Sequence, residues 1–296
     1  MAEWGHVITA MVTPFCADGS LDEPGVARIV DYLFEHGSDA LVVSGTTGES
    51  PTLSNPEKVR LFELAKAAAK GRGAIIAGTG TNDTADVIAL SKEAAAVGVD
   101  ALLLVTPYYN KPNQEGLYRH FKAIADSVDI PMMLYNVPPR TNVNLTAETC
   151  LRLAHDCPNI AAVKEASSNL VQVSEIHAGA PEGFDIYSGE DGLVLPTLAV
   201  GGTGVVSVTS HLVGKDLRAM CQAYFAGDLE TALSLHEKML PIVRACFQPT
   251  TPSPAPVKAA LNMLGVSVGP LRLPLAACTE RETAIIQGAL MNYGLI

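Results

Sequence analysis

Aromatic residues are scarce in this chain, at 5% with a single tryptophan, and basic residues are outnumbered. Twenty Lys and Arg stand against thirty-one Asp and Glu, a formal net charge of −11. That balance offers no basic surface to a phosphate backbone or an anionic bilayer, so neither nucleic acid nor membrane is an expected partner. No apolar run approaches the roughly twenty residues that a bilayer-spanning helix needs. The opening MAEWGHVITAMVTPF lacks a basic stretch followed by a long apolar segment and a small-residue cleavage site, and the chain reads as cytoplasmic. Six cysteines (Cys16, Cys150, Cys157, Cys221, Cys246, Cys278) are scattered without a C-x-x-C pair, which suggests neither a disulfide framework nor a zinc site. There is no H-E-x-x-H, no Walker loop and no G-x-G-x-x-G opening a helix; the pairs Gly78/Gly80 and Gly202/Gly204 lack the third glycine. Zinc hydrolase, P-loop and Rossmann chemistries all lose ground. The seven histidines (His6, His36, His120, His155, His177, His211, His236) form no metal-ligand spacing with carboxylates and read as structural or surface groups.

What is abundant is apolar character, 48% of 296 residues, enough to bury a sizeable core. It is concentrated in short runs: HVITAMV (6–12), ALVVSGT (40–46), AIIAGTG (74–80), ALLLVTP (101–107), PMMLYNV (131–137), IAAVKEA (160–166), FDIYSG (184–189) and GTGVVSV (202–208). These are apolar nearly throughout rather than alternating, as parallel strands covered on both faces require. Between them lie stretches of helical period such as 56–71 and 84–98, often preceded by Asp or Asn, as at Asn55-Pro56, and ended by Gly, as at Gly71. Eight strand–helix units in succession predict an α/β fold, a (β/α)8 TIM barrel, over residues 1–226. Residues 227–296 read as a C-terminal helical domain, interrupted by the proline-rich QPTTPSPAP (248–256).

A barrel of this kind carries its chemistry at the C-terminal ends of its strands. Of ten lysines, only Lys164 falls inside an apolar strand; the other nine are expected in helices or loops where an ammonium reaches water. Burying an ammonium is costly unless it is paired or loses its proton, and a neutral amine is the nucleophile that forms a Schiff base with a carbonyl. The competing reading is an ion pair with Glu165, although strand neighbours point to opposite faces. Thr46 and Thr47, between two glycines at a strand end, form either a cradle of N–H and hydroxyl groups for a carboxylate or an ordinary turn. Tyr108, Tyr109 and Tyr135 place phenols near the barrel mouth, as proton carriers or as packing. Arg140, in PPRT, is either a bidentate carboxylate clamp or a solvated loop residue.

Together GTTGES (45–50), the YNVP segment at Tyr135 and the lysine of VKEAS (163–167) resemble the pyruvate-dependent class I aldolases of the dihydrodipicolinate synthase/N-acetylneuraminate lyase superfamily, over essentially the whole chain. TPYYNKP (106–112) and the arginine of YNVPPRT (135–141) resemble its dihydrodipicolinate synthase branch. The resemblance implies that Lys164 forms an imine with pyruvate, that Thr46 and Thr47 hold the pyruvate carboxylate, and that Thr47, Tyr135 and Tyr109 relay protons, with Tyr109 delivered from a neighbouring subunit. It implies that Arg140 grips the carboxylate of L-aspartate 4-semialdehyde and that Gly189 and Val206 line the pocket through their main chains. It further implies no metal or organic cofactor, since the imine is itself the electron sink, and a homotetramer built as a dimer of dimers. The alternative is a sister aldolase acting on 2-keto-3-deoxy sugar acids, N-acetylneuraminate or 4-hydroxy-2-oxoglutarate, which needs no arginine at 140.

In members that respond to L-lysine, the effector pocket matches Ser50, Pro51, Asn55, Lys58, Asn82, Asp86 and Tyr108 here. Ser50, Asn82 and Tyr108 agree with the responsive pattern, and Asp86 keeps the acid one carbon shorter. Lys58 departs from the histidine or glutamate, and Asn55 from the histidine, common at those places. A fixed ammonium at 58 repels an incoming one, so insensitivity is expected unless Lys58 starts its helix pointing to solvent.

Overall fold

Strands whose two faces are both covered have no solvated side on which to alternate, and each apolar run of the chain forms one. In the computed structural model, which describes residues 4–296, the strands are β1 (Val7–Ala10), β2 (Ala40–Val43), β3 (Ala74–Gly78), β4 (Ala101–Val105), β5 (Met132–Asn136), β6 (Ile160–Glu165), β7 (Asp185–Ser188) and β8 (Gly204–Ser207). All neighbours pair in parallel in chain order, and β8 closes onto β1 with Val206 opposite Ile8. The result is the closed eight-stranded barrel that the sequence predicts. Each strand is shorter than its apolar run, because the residues at its C-terminal end turn out into the loops of the barrel mouth.

The two-residue period divides the side chains into two cores. Ile8, Val42, Ile76, Leu103, Met133, Tyr135, Ala162, Tyr187 and Val206 fill the barrel, over Trp4. Leu41, Val43, Ile75, Leu102, Leu134, Val163 and Val205 face outward onto the helices. Those helices are α1 (Glu23–Glu35), α2 (Asn55–Ala69), α3 (Thr84–Val97), α4 (Gln114–Ala125), a short α5 (Pro138–Thr141), α6 (Ala147–Asp156), α7 (Leu170–Gly179), α8 (Val194–Ala199) and α9 (Ser210–Phe225). Side chains of Asp22, Asp83, Asn113 and Asn169 cap α1, α3, α4 and α7, as their positions suggest. At α2 the expectation needs correcting. Ser54 is the cap, in a reciprocal capping box with Glu57, and Asn55 is already helical.

Beyond the barrel come α10 (Leu229–Cys246), α11 (Ala255–Met263) and α12 (Glu280–Tyr293). Met239, Ile242, Leu261, Ile286 and Leu290 join these helices to the outer core. Among the described residues no helix is long and apolar enough to cross a membrane.

Candidate active site

The register of β5, β6 and β7 fixes what stands at the centre. Tyr135 is paired with Lys164, and Lys164 with Tyr187, so all three point into the barrel in one layer. Lys164 is 6% exposed, and its Nζ lies 4.2 Å from the centroid of the Tyr135 ring. Gly189 makes room beside it: a Cβ there would come within 3.1 Å of Lys164 Cε and 2.5 Å of Ala166 Cβ. Tyr187 donates its hydroxyl to the Gly5 carbonyl at 3.0 Å, which occupies it away from the lysine.

The ion-pair alternative for Lys164 is not what the structure contains. Glu165 points to the outer face, where its carboxylate accepts from Asn136 Nδ2 at 3.0 and 3.1 Å, Gln172 Nε2 at 2.8 Å and the Ser167 N–H at 2.8 Å. Among the described residues no carboxylate forms an ion pair with Lys164, although buried lysines elsewhere do pair, as Lys258 does with Glu49. That observation corrects a second expectation. Lys164 is not alone in being withdrawn from water: Lys58 is 5% and Lys258 2% exposed.

Over this layer opens a cavity of about 710 Å³. Thr46, Ser50, Pro51, Lys58, Tyr108, Tyr109, Tyr135 and Arg140 all border it. The remaining predicted residues lie outside that lining. Thr47 is buried in the turn after β2, and Val206 is an inner-face residue of β8 beside Ile8. The turn is tightly wound, with the N–H groups of Gly48 and Ser50 donating to Gly45 O at 3.1 and 3.3 Å and Thr13 Oγ1 donating to Gly48 O at 2.6 Å. Arg140 sits on α5, not in an open loop, and is exposed at the mouth. Tyr109 departs furthest from a self-contained site. It is 89% exposed with φ at +71°, and among the described residues no hydrogen bond joins its hydroxyl to those of Thr47 and Tyr135.

The residues matched to an effector pocket also come together. Ser50, Pro51, Lys58 and Tyr108 border the cavity on one side. Behind them Asn55 Nδ2 donates to Asp86 Oδ1 at 2.7 Å, and Asn82 Nδ2 donates to Tyr108 O at 3.1 Å. Lys58 does not point to solvent: burial lowers its ammonium below the usual range, against the opposing charge of Asp86. Burial, and then the Asp86 charge, raise the Tyr108 phenol.

Two acids at strand ends, Glu190 and Glu49, carry no role in the sequence reading. The Glu190 carboxyl is raised by burial and by its neighbour Asp191, while the Lys164 and Arg140 charges pull it back. Glu190 therefore shares the electrostatic environment of both predicted cations, and its place in the SGED segment after β7 is the only trace of this in the sequence. Glu49, in the left-handed conformation at φ +57°, is buried under the turn that carries Thr46 and Thr47.

Comparison with known proteins adds an independent finding. Residues 3–292 match the profile of the dihydrodipicolinate synthetase family. A 4-hydroxy-tetrahydrodipicolinate synthase of Moorella thermoacetica is 54% identical over 294 residues, 99% of this chain and 100% of that protein. A dihydrodipicolinate synthase from Cyanidioschyzon merolae, solved with lysine bound, superposes with a TM-score of 0.97 at 45% identity, covering 99% of each chain. A structure described as the first monomeric dihydrodipicolinate synthase variant superposes with a TM-score of 0.96 at 40% identity, over 99% of this chain and 98% of that one.

Proposed function

The chain belongs to the dihydrodipicolinate synthetase family, and from that premise we infer that it acts as a 4-hydroxy-tetrahydrodipicolinate synthase, condensing pyruvate with L-aspartate 4-semialdehyde. The observation that carries the chemistry is Lys164: an amine inside an apolar barrel, against the Tyr135 ring, in no ion pair among the described residues. The neutral form of a lysine amine is the nucleophile that attacks a keto carbon to form an imine.

In this reading the Lys164 nitrogen adds to C2 of pyruvate, and the carbinolamine loses water to form the imine. Loss of a methyl proton gives the enamine, whose carbon bonds to the aldehyde carbon of the semialdehyde. The amino group of the adduct then attacks the imine carbon, the ring closes, and Lys164 leaves as the free amine. Thr46 and Thr47 hold the pyruvate carboxylate with their hydroxyl and N–H groups. Thr47, Tyr135 and a Tyr109 from a second subunit carry the protons, while the main chains of Gly189 and Val206 bound the pocket. The exposure of Tyr109 on its own subunit supports that sharing. Both substrates carry a carboxylate and the protein carries −11, so Lys164 and Arg140 supply the local positive charge. Such a reaction belongs to the cytoplasm, and a dimer of dimers is the assembly that accommodates paired shared sites.

Arg140 supports the semialdehyde over a sugar-acid substrate, since it is exposed at the mouth of the cavity and forms no ion pair among the described residues. Arg140→Ala should weaken use of the semialdehyde by about 2–4 kcal/mol in the specificity term, the cost of a charge-assisted carboxylate contact. Imine formation with pyruvate should change far less. A coupled assay on both half-reactions checks this. An equal loss in the two would make Arg140 structural, and faster turnover of 2-keto-3-deoxy sugar acids than of the semialdehyde would overturn the substrate assignment.

A further inference from the structure

The turn that carries Thr46 and Thr47 is not anchored by the barrel alone. Its next residue but one, Glu49, directs its carboxylate away from the cavity into a fully buried ion pair with Lys258 of α11, Nζ to Oε1 2.8 Å, at 0% and 2% side-chain exposure. The second carboxylate oxygen accepts the Arg272 backbone N–H at 2.9 Å. Both partners come from the C-terminal part of the chain, more than two hundred residues away in sequence.

The segment that brings them is itself fixed at several points. Lys258 Nζ also donates to Pro270 O at 2.6 Å, and the Phe15 N–H donates to Val268 O at 3.2 Å. Gly269, at φ +68°, passes so close to Phe15 that a Cβ would lie 1.8 Å from its carbonyl oxygen, so only glycine fits there. Arg272 spans the far side of the turn, donating to Thr52 O at 2.7 Å and to the Glu57 carboxylate in a fork. Lys258 and Arg272 also place their cations 4.5 and 4.3 Å from the centroid of the Phe15 ring. The turn is thus held from the loop after β1 on one side, through Thr13, and by the C-terminal segment, itself packed on Phe15, on the other.

We propose that Glu49, Lys258 and Arg272 are positioning residues for the carboxylate cradle, so that the C-terminal helices set the geometry in which Thr46 and Thr47 bind the keto acid. The proposal rests on the reading that this turn holds pyruvate. A buried charge that loses its partner must move, protonate or admit water, and any of these displaces a turn whose N–H groups must converge on one carboxylate.

The test is the pyruvate concentration that half-saturates borohydride trapping, measured beside half-saturation by the semialdehyde in the full condensation. Lys258→Met should raise the pyruvate value at least about tenfold, a displacement effect of the size that misplaced binding groups produce, and should leave the semialdehyde value within a factor of about two. Glu49→Gln, which keeps the side chain's size, should shift the same quantity in the same direction and carries the comparison if Lys258→Met does not fold by circular dichroism. Lys258→Arg should recover part of the loss. Arg218→Ala serves as the stability control, because it removes the Arg218–Asp39 ion pair at the opposite end of the barrel and should lower the melting temperature without moving the pyruvate value. A labelled parent enzyme whose folded Lys258→Met and Glu49→Gln variants keep the parent's pyruvate value overturns the positioning role alone. An equal shift in Arg218→Ala also overturns it, reducing the effect to lost stability. A parent enzyme that pyruvate and borohydride fail to label overturns the substrate reading and the positioning role together.

Discussion

At the scale of single residues, the ten lysines illustrate what a sequence can and cannot say about burial. Lys164 was legible because the four strand residues before it, Ile160 to Val163, are all apolar. Lys258 was not, because a helical lysine ordinarily reaches water and the acid that compensates the charge, Glu49, is supplied by a loop in the first quarter of the chain. Lys58 was read in two ways, and its burial beside Asp86 supports the one in which it obstructs. The relative from Cyanidioschyzon merolae was solved with lysine bound. We propose that in this chain the Lys58 ammonium, facing Asp86 and bordering the cavity next to Ser50 and Tyr108, fills the place that an effector's ammonium would take. Steady-state turnover should therefore be unaffected by sub-millimolar L-lysine, and Lys58→His should gain inhibition. Inhibition of the unaltered enzyme in that range would remove the obstruction argument.

Elements set the site through register more than through individual contacts. On the inner face of β5 and β6, Tyr135 faces Lys164; one residue on, Asn136 faces Glu165 on the outer face. The outer pair locks the inner one, for Asn136 donates to Glu165 and to Asn144 Oδ1 at 2.8 Å while accepting the Leu145 N–H at 2.9 Å. A slip of one residue would exchange the two faces and put the lysine outside the barrel. Asn136→Ala should cost on the order of 3 kcal/mol, since it takes one of three donors from the buried Glu165 carboxylate and leaves the buried Leu145 N–H without its acceptor. A urea titration with an unchanged midpoint would contradict the locking role. The strands and their order were legible because double burial leaves a continuous apolar signature. The network was not, since nothing in the spacing of Asn136, Asn144, Glu165 and Gln172 indicates that the fold converges them. The cap of α2 could have been read: Ser54 three residues before Glu57 is a capping-box signature in plain sequence.

At the scale of the whole molecule, the exposure of Tyr109 bears on whether one chain suffices. Tyr109 is 89% exposed with a left-handed backbone, and among the described residues no hydrogen bond joins its hydroxyl to that of Tyr135. We propose that the functional unit is a pair of chains exchanging this tyrosine, the assembly doubling to a tetramer of dihedral symmetry. Co-expressing Tyr109→Phe with Lys164→Ala should then restore turnover from two inactive parents, because mixed pairs contain one site with both groups. Mixed pairs that stay inactive would contradict sharing, and the existence of a monomeric variant among the relatives makes the measurement decisive. The division at residue 226 is likewise a proposal about the molecule as a whole. The helices beyond it share the outer core, and Lys258 of α11 pairs with Glu49 beside the Thr46–Thr47 turn.

The central claim is covalent catalysis by one amine, and the most direct measurement is to trap it. Borohydride added with pyruvate should inactivate the enzyme and leave the reduced adduct on the single tryptic peptide containing Lys164, with the mass gain absent when pyruvate is omitted. Label on Lys58, Lys258 or any other lysine, or a Lys164→Ala variant with near-parental turnover, would contradict the account.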